Sequence, residues 1–245
     1  CAYGEAKWAS AADLSARVWL AWRDEYLYLA ADVSDDQHRQ TLRDRAMFRG
    51  DHVELYLDLT PDAPPGRSFM GAGQVQFGFS PGNLQQTGDP LADIPAEAVV
   101  FRPEESAATG VLVAAQKTDR GYAIEAAIPW PLIGQLAGKS GLRPAKGIWL
   151  GLEVAVSDTD ASTPAQEKML ALRPDAWQRK CERLIAAALA GSDGVPPAVV
   201  RSQDLLAAAE LPVGENREIP FSGLTVPPGK ELVLALKARL DSPRP

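Results

Sequence analysis

Polar and aliphatic side chains alternate along a short segment near residue 55. From Asp51 to Leu59 every second residue is Val or Leu, and the residues between them include His52, Glu54 and Tyr56. Carboxylates and amides pair with sugar hydroxyls, and flat aromatic rings cover the C–H faces of a sugar. The segment therefore offers the residue types that a carbohydrate site uses.

The same mixture of side chains recurs on other predicted strands. The members of this set are Glu54, Tyr56, Gln74, Gln76, Glu125, Trp149 and Glu153. They would form one glycan-binding surface if their strands are neighbours in one sheet, which the sequence does not decide. A sheet face that simply meets water is the competing interpretation.

Acidic residues lie at the ends of two predicted strands. Asp35 and Asp36 follow one strand, and Asp158 and Asp160 follow another. Calcium takes clustered oxygen ligands, so these turns are candidates for a structural Ca²⁺ site. Aspartates that cap backbone groups in turns are the alternative.

A glycosidase would draw on the same carboxylates. Two acids among Glu54, Glu125 and Glu153 could stand at the separation of about 5 to 9.5 Å that glycosidases use. No neighbouring residue indicates a shifted pKa, so we expect no catalysis from the domain itself.

Composition excludes several classes of partner. The 245-residue chain has a formal charge of −7, from 25 basic and 32 acidic residues, which disfavours nucleic acid. No apolar run approaches the roughly 20 residues of a transmembrane helix. Cys1 suits a lipid-anchored bacterial lipoprotein, and truncation explains the same residue. We expect an extracellular, periplasmic or cell-surface location.

The elements that position these residues are mainly strands. The patterns predict a hairpin over Arg17 to Val33 and further strands, which run over residues 51–59, 74–79, 111–116, 121–128 and 148–156. With no helices between them, they favour an antiparallel β-sandwich. One peripheral C-terminal helix is predicted from Asp175 to Ala190. We expect a carbohydrate-binding sandwich over residues 1–192, a linker over 193–217, and the truncated start of another β domain over 218–245.

An ordered set of segments resembles carbohydrate-binding module family 9, a DOMON-like β-sandwich. These segments are DLSA at 13–16, VWLAW at 18–22, YLY at 26–28, VSDD at 33–36, GDHVELYLD at 50–58 and GYAIEAAIPW at 121–130. The resemblance implies a non-catalytic module of a larger secreted protein, often with structural calcium. Its partners would be a glycan or polysaccharide and the other domains of the same polypeptide.

The resemblance also implies roles for individual residues. Glu54 matches an acidic residue that hydrogen-bonds sugar hydroxyls, and Phe48 stands where the family has a clamping tryptophan. Trp177 is the candidate for the second clamping ring. The Phe48 departure leaves open a structural spacer without a sugar site. Related domains bind haem through axial Met or His, and Met47 and His52 are the residues here that could do so.

Overall fold

The computed structural model describes residues 1–60, 71–89, 91–173, 184–190 and 238–240. Within these ranges the chain is mainly β. The strands are β1 (Leu14–Trp22), β2 (Tyr26–Asp35), β3 (His52–Asp58), β4 (Gln74–Ser80), β5 (Glu97–Arg102), β6 (Leu112–Thr118), β7 (Gly121–Pro129), β8 (Trp149–Asp158), β9 (Lys168–Ala171), β10 (Ile185–Ala188) and β11 (Ala238–Leu240). The helix α1 spans Trp130–Leu136, and short 3₁₀ helices span Glu5–Lys7 and Asp44–Arg49.

The described strands form two antiparallel sheets. The first sheet has the order β11-β1-β2-β7-β6, and the second has the order β10-β8-β3-β4-β5, with β9 also paired to β8. This arrangement confirms the predicted antiparallel sandwich. The predicted hairpin is β1 and β2, paired in continuous register from Leu14 with Asp35 to Trp22 with Leu27.

Alternating aliphatic residues on the two inner faces build the core. In β3 the inward residues are Val53, Leu55 and Leu57, all essentially inaccessible to solvent. They belong to the same buried cluster as Ile124 of β7. Side chains point to opposite faces along a strand, so the residues between them, including Glu54, lie on the outer face of the second sheet.

The polar side chains on the outer face of the second sheet are not exposed to water, contrary to one interpretation of the sequence. Its polar side chains are buried and belong to His52, Glu54, Tyr56, Asp58, Gln74, Gln76 and Glu153. Met47 and Phe101 pack over β4, and Met169 and Ala171 of β9 pack with Tyr56 in a second apolar cluster. The 3₁₀ helix Asp44–Arg49 and the strands β5 and β9 of the same sheet therefore cover a face whose sequence pattern is half polar.

The predicted C-terminal helix from Asp175 to Ala190 is wrong in its last part. Residues Ile185–Ala188 form β10, which pairs antiparallel with the start of β8 from Leu152 to Trp149. The first part of that prediction, including Cys181, lies outside the described residues. The described tail strand β11 pairs with β1, and the proposed division after residue 192 otherwise stays a prediction.

Candidate functional site

The centre of β3 carries a hydrogen-bonded group of polar side chains on the outer face of the second sheet. Glu54 accepts hydrogen bonds from the Tyr56 hydroxyl and from Gln76 Nε2, the latter at 3.2 Å. Gln76 Nε2 also donates to the Tyr56 hydroxyl oxygen at 3.1 Å. Tyr56 pairs with Gln76 across β3 and β4, so the strand register brings these groups together.

His52 completes this group and faces an oxygen atom with each ring nitrogen. Nδ1 lies 2.7 Å from the Gly50 carbonyl oxygen, and Nε2 lies 3.0 Å from Glu54 Oε1. Because each ring nitrogen lies within hydrogen-bond distance of an oxygen atom, no His52 nitrogen is free for haem iron. We call His52, Glu54, Tyr56 and Gln76 the Glu54 network.

Two side chains cover the network, one from β5 and one from the 3₁₀ helix Asp44–Arg49. The Phe101 ring lies over Gly78, and its centroid is 6.2 Å from that of His52 in an edge-on arrangement. The Met47 methyl group packs over the same glycine. Gly78 is the residue that pairs with Glu54 in β4, so its missing side chain makes room for this cover beside the carboxylate.

Phe48 is the exposed aromatic ring beside this cover. It follows Met47 in the 3₁₀ helix, is 40% exposed, and has the Arg49 guanidinium 5.5 Å from its ring centroid. The buried Gln40 amide fixes this helix to the start of β3, because its Nε2 donates to the carbonyl oxygens of Met47 and Asp51 at 3.1 and 2.9 Å.

The remaining predicted ligand residues do not join the Glu54 network. Gln74 donates instead to Asp58 Oδ2 at 3.1 Å. Trp149 shares the sheet but lies six residues, roughly 20 Å, from Ala155, the β8 residue that pairs with Glu54. Glu125 is exposed on the first sheet, so the expectation of one shared face is wrong for it. Trp177 lies outside the described residues.

Glu153 is buried on the same face as Glu54 but serves the backbone. Its Oε1 accepts the amides of Val154 and Leu172 at 2.9 and 2.8 Å, and its Oε2 accepts the Arg173 amide at 2.9 Å. Burial raises the pKa of Glu153 to about 7, against the opposing effect of these amides. Glu125 lies on the other sheet and so does not join Glu54 or Glu153, and the Glu153 carboxylate already accepts three backbone amides.

A second group of chemical interest lies at one end of the sandwich, where strand ends bring aspartates together. Ligand oxygens of Asp35, Asp158 and Asp160 lie within 4.8 Å of one another, as do those of Asp13, Asp36 and Asp160. Asp35 ends β2, and Asp158 ends β8. The predicted calcium residues Asp35, Asp36, Asp158 and Asp160 therefore do meet, and we call them, with Asp13 and Asp51, the acidic cluster.

Several oxygens of this cluster have no hydrogen-bond partner among the described residues. They are Asp35 Oδ2, Asp160 Oδ1 and both Asp158 carboxylate oxygens, of which Asp158 Oδ2 lies 3.2 Å from the Lys168 ammonium without a hydrogen bond. Asp158 is 1% exposed, and a buried charged oxygen without a partner is costly. Hard oxygen ligands converging from different segments are the donor set that Ca²⁺ takes. These residues fit a divalent cation.

Two cations already lie in the cluster. His38 Nδ1 is 3.1 Å from Asp51 Oδ2 and 3.6 Å from Asp35 Oδ2. The Lys168 ammonium bonds to Asp13 and lies 2.6 Å from Asp160 Oδ2. Burial alone would lower the pKa of His38, but its carboxylate neighbours raise that pKa to about 9.

Negative charge still dominates the acidic cluster. Burial, and then the charges of Asp51 and Asp35, raise the pKa of Asp158 to about 9. Burial likewise raises the pKa of Asp51 to about 7, and the nearby carboxylates add to the effect of burial in raising the pKa of Tyr122. These shifts indicate that the cluster lacks positive charge.

Local sequence patterns do not predict that several of these residues belong to the Glu54 network, its cover or the acidic cluster. Gln40, Phe101, Asp13, Asp51 and Lys168 stand far apart in the chain, and only the fold brings each to its site. Asp13 and Asp51 each directly precede a strand, which is the one signal that could have placed them at a sheet end.

An open cleft gives solvent access to the acidic cluster. It has a volume of ≈ 810 Å³, and Asp35, Asp36 and His38 line one part of it.

Among the described residues, no helix has the length and hydropathy to span a bilayer.

Comparison with known proteins places this sandwich in a family. The family described as "Carbohydrate family 9 binding domain-like" matches residues 2–178. The match covers well over half of the chain, so the protein belongs to this family, and the resemblance drawn from the sequence is confirmed. No curated protein matches the chain.

Two solved structures share the fold. One is a carbohydrate binding module family 9 from Caldicellulosiruptor kristjanssonii in complex with glucose, with 18% identity, a TM-score of 0.53, and coverage of 75% of this chain and 81% of that chain. The other, from the same organism in complex with cellotriose, has 17% identity, a TM-score of 0.52, and coverage of 76% and 82%. At this level of identity the likeness shows the fold.

Proposed function

We propose that this protein is a non-catalytic carbohydrate-binding module that binds a polysaccharide or a glycan end over the outer face of the second sheet. The observation that carries the proposal is the Glu54 network on that face, in a chain that belongs to a family of carbohydrate-binding domains. The similar proteins from Caldicellulosiruptor kristjanssonii were solved with glucose and cellotriose, so glucose and β-glucan oligosaccharides are the first ligands to test.

Phe48 supplies the apolar half of the proposed site. A sugar ring is amphipathic, and an exposed phenyl face can cover its C–H groups. Gln40 holds the helix that carries Phe48 against β3, so the backbone beneath the ring is held in place before a ligand arrives. Preorganisation of this kind reduces the entropy lost on binding.

The Glu54 network supplies the polar half. Glu54 already accepts from Tyr56 and Gln76, which fixes the directions of its remaining lone pairs. Both hydrogen bonds of Gln76 within the network use Nε2, so its carbonyl oxygen is the Gln76 atom that would accept a sugar hydroxyl.

A structural spacer is the second candidate, and one observation favours it. Glu54 is 2% exposed, and its carboxylate has three partners within the protein. A carboxylate that is closed off in this way can serve the stability of the sheet alone. The two candidates differ in a single property, which is whether a glycan binds.

Calcium binding by the acidic cluster forms part of the proposal. Asp35, Asp158 and Asp160 would hold the ion, and Ca²⁺ would supply the positive charge that their buried oxygens lack. Its effect would be structural, because it would tie the end of β2 to the end of β8. We further propose a place in a larger secreted or cell-surface protein, where the module would keep attached domains near their polysaccharide.

The experiment is a titration of the full chain with glucose, cellotriose and a glycan array, followed by tryptophan fluorescence and calorimetry. Replacing Phe48 with alanine should weaken binding about five- to tenfold, since an aromatic stacking contact contributes roughly 1 kcal/mol. The matched control is Leu112→Ala, which removes a side chain that is 63% exposed on the first sheet. Absence of binding to every glycan at millimolar concentration would leave the spacer.

A further inference from the structure

The Lys168 ammonium lies inside the acidic cluster, in surroundings that resemble those of a bound metal ion. Its Nζ bonds to Asp13 Oδ1, lies 2.6 Å from Asp160 Oδ2, and lies 3.2 Å from Asp158 Oδ2. These carboxylates come from the segment before β1, the end of β8 and the turn after β8. Three carboxylates from two segments of the chain therefore converge on one positive charge.

The ammonium cannot leave this position easily. The Lys168 side chain is 1% exposed, and its residue pairs with Asp158 at the start of β9. The N-terminal segment lies across β9, because the Ala2 amide donates to the Met169 carbonyl oxygen at 2.8 Å. A lysine side chain is ordinarily protonated near neutral pH, and its three carboxylate neighbours hold the ammonium in this position.

Lys168 contacts one oxygen each of Asp158 and Asp160, and the other oxygen of each carboxylate has no hydrogen-bond partner among the described residues. Asp35 Oδ2 and Asp160 Oδ1 have no hydrogen-bond partner in the described part of the chain, and neither has Asp158 Oδ1, although Asp158 is almost fully buried. These three atoms stand apart from the Lys168 contacts of Asp13 and Asp160, which use other oxygens. The cluster therefore has one position that the Lys168 ammonium fills, and a second position around these three oxygens, where His38 Nδ1 comes no closer than 3.6 Å to Asp35 Oδ2.

We propose that the Lys168 ammonium stands in for one cation of the acidic cluster, so that the cluster binds one divalent cation, held by Asp35, Asp158 and Asp160, instead of two. This inference rests on the calcium binding put forward above and not on the binding of a glycan. An ammonium is a compact point charge, so it can replace a metal ion as a counter-charge. Unlike a metal ion, it cannot be removed by a chelator.

The test is calorimetric titration of the chelator-treated full chain with Ca²⁺, together with its thermal midpoint in chelator and in calcium. The wild-type protein should bind one Ca²⁺. Lys168→Met should bind two, and its midpoint should rise more with calcium than that of the wild type, because a second cation now neutralises the freed carboxylates. The matched control, Lys117→Met on the exposed face of β6, should behave as the wild type.

The charge-balanced variant Lys168→Met with Asp13→Asn sharpens the test. It removes one positive and one negative charge, so it should return to one Ca²⁺. The double variant also keeps the test usable if Lys168→Met alone does not fold, because the double variant should then still fold and bind one Ca²⁺. If neither variant folds, the ammonium is needed as a hydrogen-bond donor, and its role as a replacement for a metal ion is refuted.

Three results would overturn the proposal. They are two calcium ions in the wild type, an unchanged stoichiometry in Lys168→Met, and no calcium binding in either protein. Titration of the same samples with glycan separates these outcomes from the proposed carbohydrate function, which would survive any of them.

Discussion

Replacing Gly78 with alanine tests whether Phe101 covers the Glu54 network as described. Alanine in a strand is ordinarily more stable than glycine by roughly 0.5 to 1 kcal/mol, because the unfolded chain loses less entropy. Here an added Cβ would overlap the Phe101 ring and lie 2.7 Å from Met47 Cε. Overpacking of this kind costs about 1 to 3 kcal/mol. The flexible methionine can move, but the ring cannot, so we expect a net loss of about 1 to 2 kcal/mol.

The assay is urea denaturation of four proteins followed by tryptophan fluorescence: the wild type, Gly78→Ala, Phe101→Ala and the double variant. With the ring removed, Gly78→Ala should become neutral or slightly stabilising. The double-mutant cycle should therefore give a coupling energy of at least about 1 kcal/mol. Equal effects of Gly78→Ala with and without the ring would refute the placement of Phe101 over β4.

Three further predictions concern buried polar groups. Gln40→Glu should lower the free energy of unfolding, measured by urea denaturation, by about 3 kcal/mol or more, because a carboxylate would face two carbonyl oxygens. The control Gln116→Glu, at an exposed position of β6, should change that free energy little. Tyr122→Phe should leave the free energy of unfolding unchanged or raise it by up to about 1 kcal/mol, because the Tyr122 hydroxyl is buried without a hydrogen-bond partner among the described residues. A decrease of more than about 1 kcal/mol would contradict this prediction. In chelator, the free energy of unfolding should fall as pH rises from about 5 to 9. The pKa of Asp158 and the pKa of His38 are both raised to about 9, so the folded state holds these protons more tightly than the unfolded chain does. Calcium should flatten that decline, and a free energy of unfolding that rises with pH would contradict this prediction.

The strands were predictable because their patterns are local. Alternation along 51–59 gives β3, and the inward and outward residues are assigned correctly from sequence. The burial of the outward residues was not predictable, since the cover comes from Met47 and Phe101, which lie in a 3₁₀ helix and in a strand that the pattern did not reveal. An outer face is polar or covered according to what packs on it, and that is a long-range property.

The errors have the same physical origin. Glu125 shows the same alternation as Glu54, but periodicity does not say which sheet a strand joins. The alanine-rich stretch at Ile185–Ala188 has helical propensity, and pairing with the edge of β8 overrides it. The aspartates at the strand ends were found because turns concentrate them, whereas Lys168 has no local signal.

An NMR titration of the full chain with cellotriose, read from backbone amide shifts, tests most directly whether the second sheet binds a glycan. Binding there should concentrate the shifts at Phe48, at the Glu54 network and at Phe101, with the region around Glu125 unaffected. Shifts centred on the first sheet, or no shifts with any glycan, would contradict it.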